Sequence, residues 1–88
     1  QAQMNIREKV AMAFMYCYEV FGMNPETKKM KIFLSRQDIA DLAGTTAEQV
    51  TRQLSDFENE NLIARNKREI IFLNIKKLEN IVSDYKIE

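Results

Sequence analysis

The sequence contains no histidine. That removes the commonest general acid–base and a principal metal ligand from any candidate site, and neither a catalytic nor a metal site is expected. It contains a single cysteine, Cys17, so no disulfide can close within the chain. A reducing cytoplasm is the expected setting. Tryptophan is absent, and there are only one proline and two glycines, so each chain-breaking residue carries information. Charge of one sign is also lacking: 13 Lys and Arg balance 13 Asp and Glu. A uniformly basic surface, common among nucleic-acid binders, is thereby excluded, although a basic patch on one face is not. No apolar run approaches the roughly 20 residues that span a bilayer. The most apolar stretch, Val10 to Phe21, is interrupted by Glu19 and flanked by Arg7, Glu8 and Lys9. No signal peptide is visible and no membrane partner is expected. The first residue is Gln1 rather than methionine, so the chain is expected to be a fragment of a longer protein.

What is present suits one small domain over residues 1–88, with 45% hydrophobic and 30% charged residues around one modest core. Asn5 can cap a helix from Ile6 to about Met23. Ile6, Val10, Ala13, Phe14, Cys17 and Phe21 recur on one face at helical spacing. Met12, Met15, Tyr16 and Tyr18 make the rest of the helix apolar too. This fits either a central core helix or a second face packed on a missing domain or subunit. Cys17 reads as a small core hydrophobe. Gly22, Asn24 and Pro25 end the helix. Lys29 to Leu34 alternates Met30, Ile32 and Leu34 with Lys29, Lys31 and Phe33, which predicts a short strand with a solvated edge.

Ser35 to Phe57 predicts two short helices around a glycine turn, the helix-turn-helix pattern whose second helix enters the DNA major groove. Ser35 and Asp38 supply the first cap, and Ile39, Leu42 and Ala43 the buried stripe, with small Ala40 at a helix crossing. Gly44 is the left-handed residue of the turn. Thr46 and Gln49 fit a capping box, and Val50, Leu54 and Phe57 point inward. The opposite face carries Ala47, Glu48, Thr51, Arg52 and Ser55. Arg52 can donate twice to guanine, Glu48 can accept from cytosine, and Thr51 or Ala47 can touch a thymine methyl. The bland alternative is a surface Glu48–Arg52 ion pair worth about 0.2–0.5 kcal/mol. Downstream, Leu62–Ile63 and Ile70–Leu73 predict a hairpin, with Asn66 in a turn that needs positive φ. Arg65, Lys67 and Arg68 form the densest basic cluster and suit phosphate contact, with mere solubility as the alternative. Asn74 then caps a last helix with Ile75, Leu78, Ile81, Val82 and Tyr85 on its apolar face.

The run LSRQDIADLAGTTAEQVTRQLSDFENENLI resembles the C-terminal DNA-binding domain of Crp/Fnr-type bacterial transcription regulators. The matching residues are Ser35, Arg36, Gln37, Asp38, Ile39, Ala40, Gly44, Glu48, Val50, Arg52, Leu54, Asn61, Leu62 and Ile63. The resemblance implies an α+β, mostly helical winged helix-turn-helix: a three-helix core, a β-hairpin wing and a short C-terminal helix. It implies double-stranded DNA as partner, with a recognition helix at about 46–57 reading half of a palindromic site. Glu48 and Arg52 match base-reading positions; Ser35, Arg36, Gln37 and Thr46 match positions that touch phosphates. The full protein would be a homodimer, with RNA polymerase as a further candidate partner. It would carry a missing N-terminal sensor domain for a cyclic nucleotide or other effector, this domain itself holding no cofactor. Ala47 and Thr51 look closer to the Fnr-like branch, with a TTGA-like half-site. Gln53 departs from a usually apolar position, and Lys67 and Arg68 from a glycine-containing wing turn. A winged helix that contacts protein rather than DNA is the alternative function, favoured by the neutral charge. An enzyme is the third, with no nucleophile beside an evident base.

Overall fold

The computed structural model describes residues 3–86, and side chains as far as Ser83. Helix α1 spans Ile6–Phe21 and opens on a full capping box. The Asn5 side chain accepts from the Glu8 amide at 2.8 Å, and Glu8 accepts from the Asn5 amide at 2.9 Å. Gly22 ends it with φ 78°, a backbone state that glycine adopts without strain. Helices α2 (Arg36–Ala43) and α3 (Ala47–Asn59) follow, then strands β1 (Ile63–Asn66) and β2 (Glu69–Phe72), and helix α4 (Ile75–Lys86). The strands pair antiparallel, with Ile63 opposite Phe72 and Asn66 opposite Glu69.

The core is built around Phe14, fully buried on α1. Its ring lies 6.3 Å from both Phe57 of α3 and Phe72 of β2, edge-on to the latter at 88°. Tyr18 adds an edge contact to Phe72 at 5.9 Å. Val10 and Cys17 of α1, Ile39 and Ala40 of α2, Val50 and Leu54 of α3, and Leu78 of α4 complete a single cluster. Burying one such large side chain contributes about 1.5–3 kcal/mol. Burial also raises the Cys17 thiol above its ordinary pKa, because a thiolate would be desolvated there.

Several sequence expectations need correction. Lys29 to Leu34 is not a strand. Only isolated bridges form, Met23 with Met30 and Lys29 with Ile71. The Met30 amide donates to Ile70 at 2.8 Å on one side and the Lys31 amide to Gly22 at 3.2 Å on the other; each bond belongs to one bridge, and neither side extends into a ladder. Phe21 is 44% exposed: it lies on the inward azimuth of α1 but at its last turn, beyond the packed layers. Leu42 is 48% exposed, whereas Ala40 is fully buried. At about 100° per residue, a buried arc that includes Ile39 and Ala40 leaves Leu42 beyond its edge. Positive φ in the hairpin turn falls on Lys67 (59°), not Asn66, because the strand register makes Asn66 the last paired residue. The apolar face of α4 is as expected at Leu78 and Val82. The Tyr85 side chain lies outside the described residues.

Candidate nucleic-acid interface

Three local devices position the candidate surface. The first is the start of α2. Ser35 Oγ accepts from the Asp38 amide at 3.0 Å, and Asp38 returns the bond to the Ser35 amide at 3.0 Å. The Ile39 amide is satisfied by the Ser35 carbonyl at 3.1 Å. The Arg36 and Gln37 amides remain first-turn donors without an intrahelical acceptor. The second is the turn. Gly44 takes φ 74° and ψ 42°, and the amides of Gly44 and Thr45 both donate to the Ala40 carbonyl, at 2.8 and 3.0 Å. This closes α2 and lets α3 begin at Ala47. The third is the cap of α3. Thr46 Oγ1 accepts from the Gln49 amide at 3.2 Å. The expected reciprocal half of that box is not made, because the Gln49 side chain pairs with the Thr45 hydroxyl instead.

Helix α3 then divides by side. Val50, Leu54 and Phe57 are buried against α1 and the wing. Glu48, Thr51, Arg52 and Ser55 are exposed on the other face, with Ala47 half-buried beside them. The Thr51 hydroxyl donates to the Ala47 carbonyl at 3.0 Å, which leaves its methyl as the freer group. Among the described residues neither Glu48 nor Arg52 enters an ion pair, so the mutual pairing offered as the bland alternative is not made.

The structure brings Ser35 and Arg36, at the start of α2, to the wing residues Arg65, Lys67 and Arg68. Together with Leu34, Ile39, Leu54 and Ile70 they line one cleft of about 240 Å³. Residues distant in sequence thus meet in one basic groove alongside α3. Lys67 and Arg68 occupy the two-residue hairpin loop and are exposed. Arg65 differs: it sits within β1 and is held by Glu58 of α3 at 2.9 Å. Gln37 and Thr46 lie outside the residues lining the cleft. The Gln37 side-chain amide donates to Asp41 at 2.9 Å, and Thr46 is occupied as the cap.

Sequence reasoning missed a brace at the far end of α3. Arg7 of α1 makes a bidentate pair with Glu60, at 2.6 and 2.7 Å, and lies 5.4 Å from the centre of the Phe57 ring. The hydrogen bond from Arg7 is the main cause holding the Glu60 carboxyl below its ordinary pKa; desolvation opposes it, and the charges of Arg7 and Lys77 add smaller lowering effects. The only sequence signal was opposite charge at positions 53 apart, which no local pattern reveals. Gln53, which the resemblance already marked as departing from a usually apolar position, is the other notable residue of α3. It is 8% exposed on the inner side of α3, and its Nε2 has no hydrogen-bond partner. Among the described residues no group of three or more His, Cys, Asp or Glu is placed to hold a metal, and no helix is long and apolar enough to cross a membrane.

Comparison with solved structures finds this arrangement in larger proteins. The CO-dependent transcription factor CooA from Carboxydothermus hydrogenoformans superposes with a TM-score of 0.78 at 24% identity, over 89% of this chain and 37% of that one. TTHB099, a CRP-family transcriptional regulator from Thermus thermophilus, gives 0.79 at 22% identity, over 92% and 42%. FixK2 from Bradyrhizobium japonicum gives 0.73 at 27% identity, over 88% and 38%. The chain therefore spans about two fifths of the length of these proteins. No curated protein sequence matches it. The model of the Crp-like helix-turn-helix domain matches residues 8–81, from the first turn of α1 into α4. With that match over most of its length and a winged helix-turn-helix fold, the chain belongs to the Crp-like helix-turn-helix domain family.

Proposed function

We propose that the chain binds double-stranded DNA as the half-site module of a transcription regulator. Helix α3 enters the major groove, and the cleft between α2 and the wing takes the phosphates. One observation carries this: Glu48 and Arg52 of α3 are exposed and enter no ion pair among the described residues, while one cleft, lined also by Leu54 of α3, gathers Ser35, Arg36, Arg65, Lys67 and Arg68. Arg52, Glu48, Thr51 and Ala47 read base edges, as their donor, acceptor and methyl chemistry allows. Lys67, Arg68 and Arg36, with the Arg36 and Gln37 amides at a helix N-terminus, supply affinity without sequence information. Thr46 and Gln37 add polar contacts at the two helix starts.

The three relatives are described as transcription factors or regulators or share their fold, and each is more than twice the length of this chain. By analogy the whole protein pairs this module with a sensor domain and acts as a cytoplasmic homodimer on a palindromic site, its Fnr-like half-site of TTGA character. An effector bound elsewhere, such as a cyclic nucleotide, and contact with RNA polymerase belong to that whole protein. The test separates reading from holding. Arg52→Ala should relax specificity at one guanine, losing about 1–3 kcal/mol of discrimination there. Lys67→Ala should weaken binding to all sequences and lower the salt slope by about one. Equal losses on every sequence for both variants would refute the division of roles. Salt-independent capture of a protein, with no DNA bound by the dimer, would favour the protein-contact alternative.

A further inference from the structure

Helix α1 has a second face that the core covers only in part: Lys9 and Met12 are half-buried, Met12 packing against the core, while Tyr16 and Glu19 are exposed. Opposite the buried Phe14, Lys9, Met12, Tyr16 and Glu19 follow at spacings of three, four and three, the seam pattern of paired helices. Tyr16 is 50% exposed and Val20, one turn on, 55% exposed. Shallow grooves flank this crest. One runs toward α2 and is lined by Met4, Lys9, Met12, Tyr16 and Leu42. The other runs toward α4 and is lined by Met12, Met15, Glu19, Glu79 and Val82. None of these residues belongs to the DNA-facing surface described above.

We propose that this face is a self-pairing surface, on which two copies pack their α1 helices antiparallel about a two-fold axis. The choice of a second copy rests on charge. Lys9 and Glu19 stand at equal distances from the midpoint between Met12 and Tyr16. Antiparallel pairing about that midpoint sets Lys9 against Glu19 of the other copy, at both ends of the seam. It sets Met12 against the other copy's Tyr16 in the two layers between. Within one chain the two charges are about 15 Å apart, at about 1.5 Å per residue, and cannot pair. Glu79 borders the same groove as Glu19 and reinforces the negative end. A face complementary to itself under a two-fold rotation is what an isologous contact requires, whereas a foreign partner imposes no such symmetry. The seam is short and its charges lie at the rim, so the association is weak and weakens further in salt.

The test measures the mass of the 88-residue chain across a concentration series by sedimentation equilibrium. The expected mass rises from 10.3 kDa toward twice that value. Lys9→Glu and Glu19→Lys should each weaken association by about tenfold or more, since each replaces two attractions per dimer by repulsions. Mixing these two variants should restore association as a heterodimer, because both layers regain opposite charges. Tyr16→Arg, at a half-exposed position, should weaken it without altering either charge, and circular dichroism verifies that each variant keeps its helices. A chain that stays monomeric at every concentration overturns the proposal, including the case in which a different protein covers this face. So does association that survives either single reversal, or a mixture that associates no better than its components.

Discussion

Replacing Gln53 by methionine should stabilise the domain. The glutamine is 8% exposed, and its Nε2 donor is buried with no acceptor. An unfolded chain hydrates that amide fully, so folding strips it of water without compensation. Such an unsatisfied donor costs about 1–3 kcal/mol. Methionine keeps the unbranched shape, carries no polar donor and adapts to irregular gaps, so little is lost in packing. Against this stands the loss of one branch atom from the side chain, which opens a small void costing on the order of 1 kcal/mol. The net gain is therefore about 1 kcal/mol. For a domain of this size, about 1 kcal/mol moves the thermal midpoint by about 4–8 °C. Paired urea and thermal unfolding, followed by circular dichroism, would measure both quantities. An unchanged urea m-value would assign the gain to the folded state. DNA affinity should not change, since residue 53 lies on the inner side of α3. A methionine variant less stable than the parent by about 1 kcal/mol or more would refute the reasoning. It would mean that the amide is hydrogen-bonded in solution and holds the packing around it.

The remaining predictions concern the brace, the turn and the wing. Glu60 is held below its ordinary pKa by Arg7, so its stabilisation is present above the unfolded carboxylate pKa and is lost as pH falls through the lower folded value. Glu60→Gln should therefore cost up to about 1 kcal/mol near neutrality, both partners being 35% exposed, and the difference should vanish in acid; denaturation at the two pH values measures it. Gly44→Ala should cost about 1–2 kcal/mol in an unfolding titration. The cost is backbone strain at φ 74° alone, because no atom beyond the residue's own chain neighbours lies within 4 Å of the added methyl. Glu58→Gln should release Arg65 for phosphate and tighten DNA binding on all sequences, with a salt slope steeper by up to about one. An unchanged slope would assign Arg65 to the wing's own architecture.

How much was legible follows from the range of each interaction. Asn5, Ser35, Thr46 and Asn74 all accept from an amide three residues on, so their caps could be placed from neighbouring residues alone. The periodicity of Val50, Leu54 and Phe57 likewise marked the inner side of α3, and with it the exposure of Glu48, Thr51 and Arg52. The alternation in Lys29–Leu34 misled, because alternation says which side chains could share a face and nothing about whether a neighbouring strand is there to pair. The outline of the helix-turn-helix and its wing came as much from a family resemblance as from these local rules.

By itself, then, the sequence determined what interactions within about four residues decide: where helices begin, where Gly44 turns the chain, and which side of α3 is apolar. Tertiary structure alone decided which distant groups meet. Packing of the wing beside α2 put Lys67 and Arg68 into one cleft with Ser35 and Arg36. It also engaged Arg65 with Glu58. The approach of α1 to the end of α3 joined Arg7 to Glu60 across 53 positions. Those contacts depend on helix crossing and strand register, which the whole core sets at once and no single segment encodes.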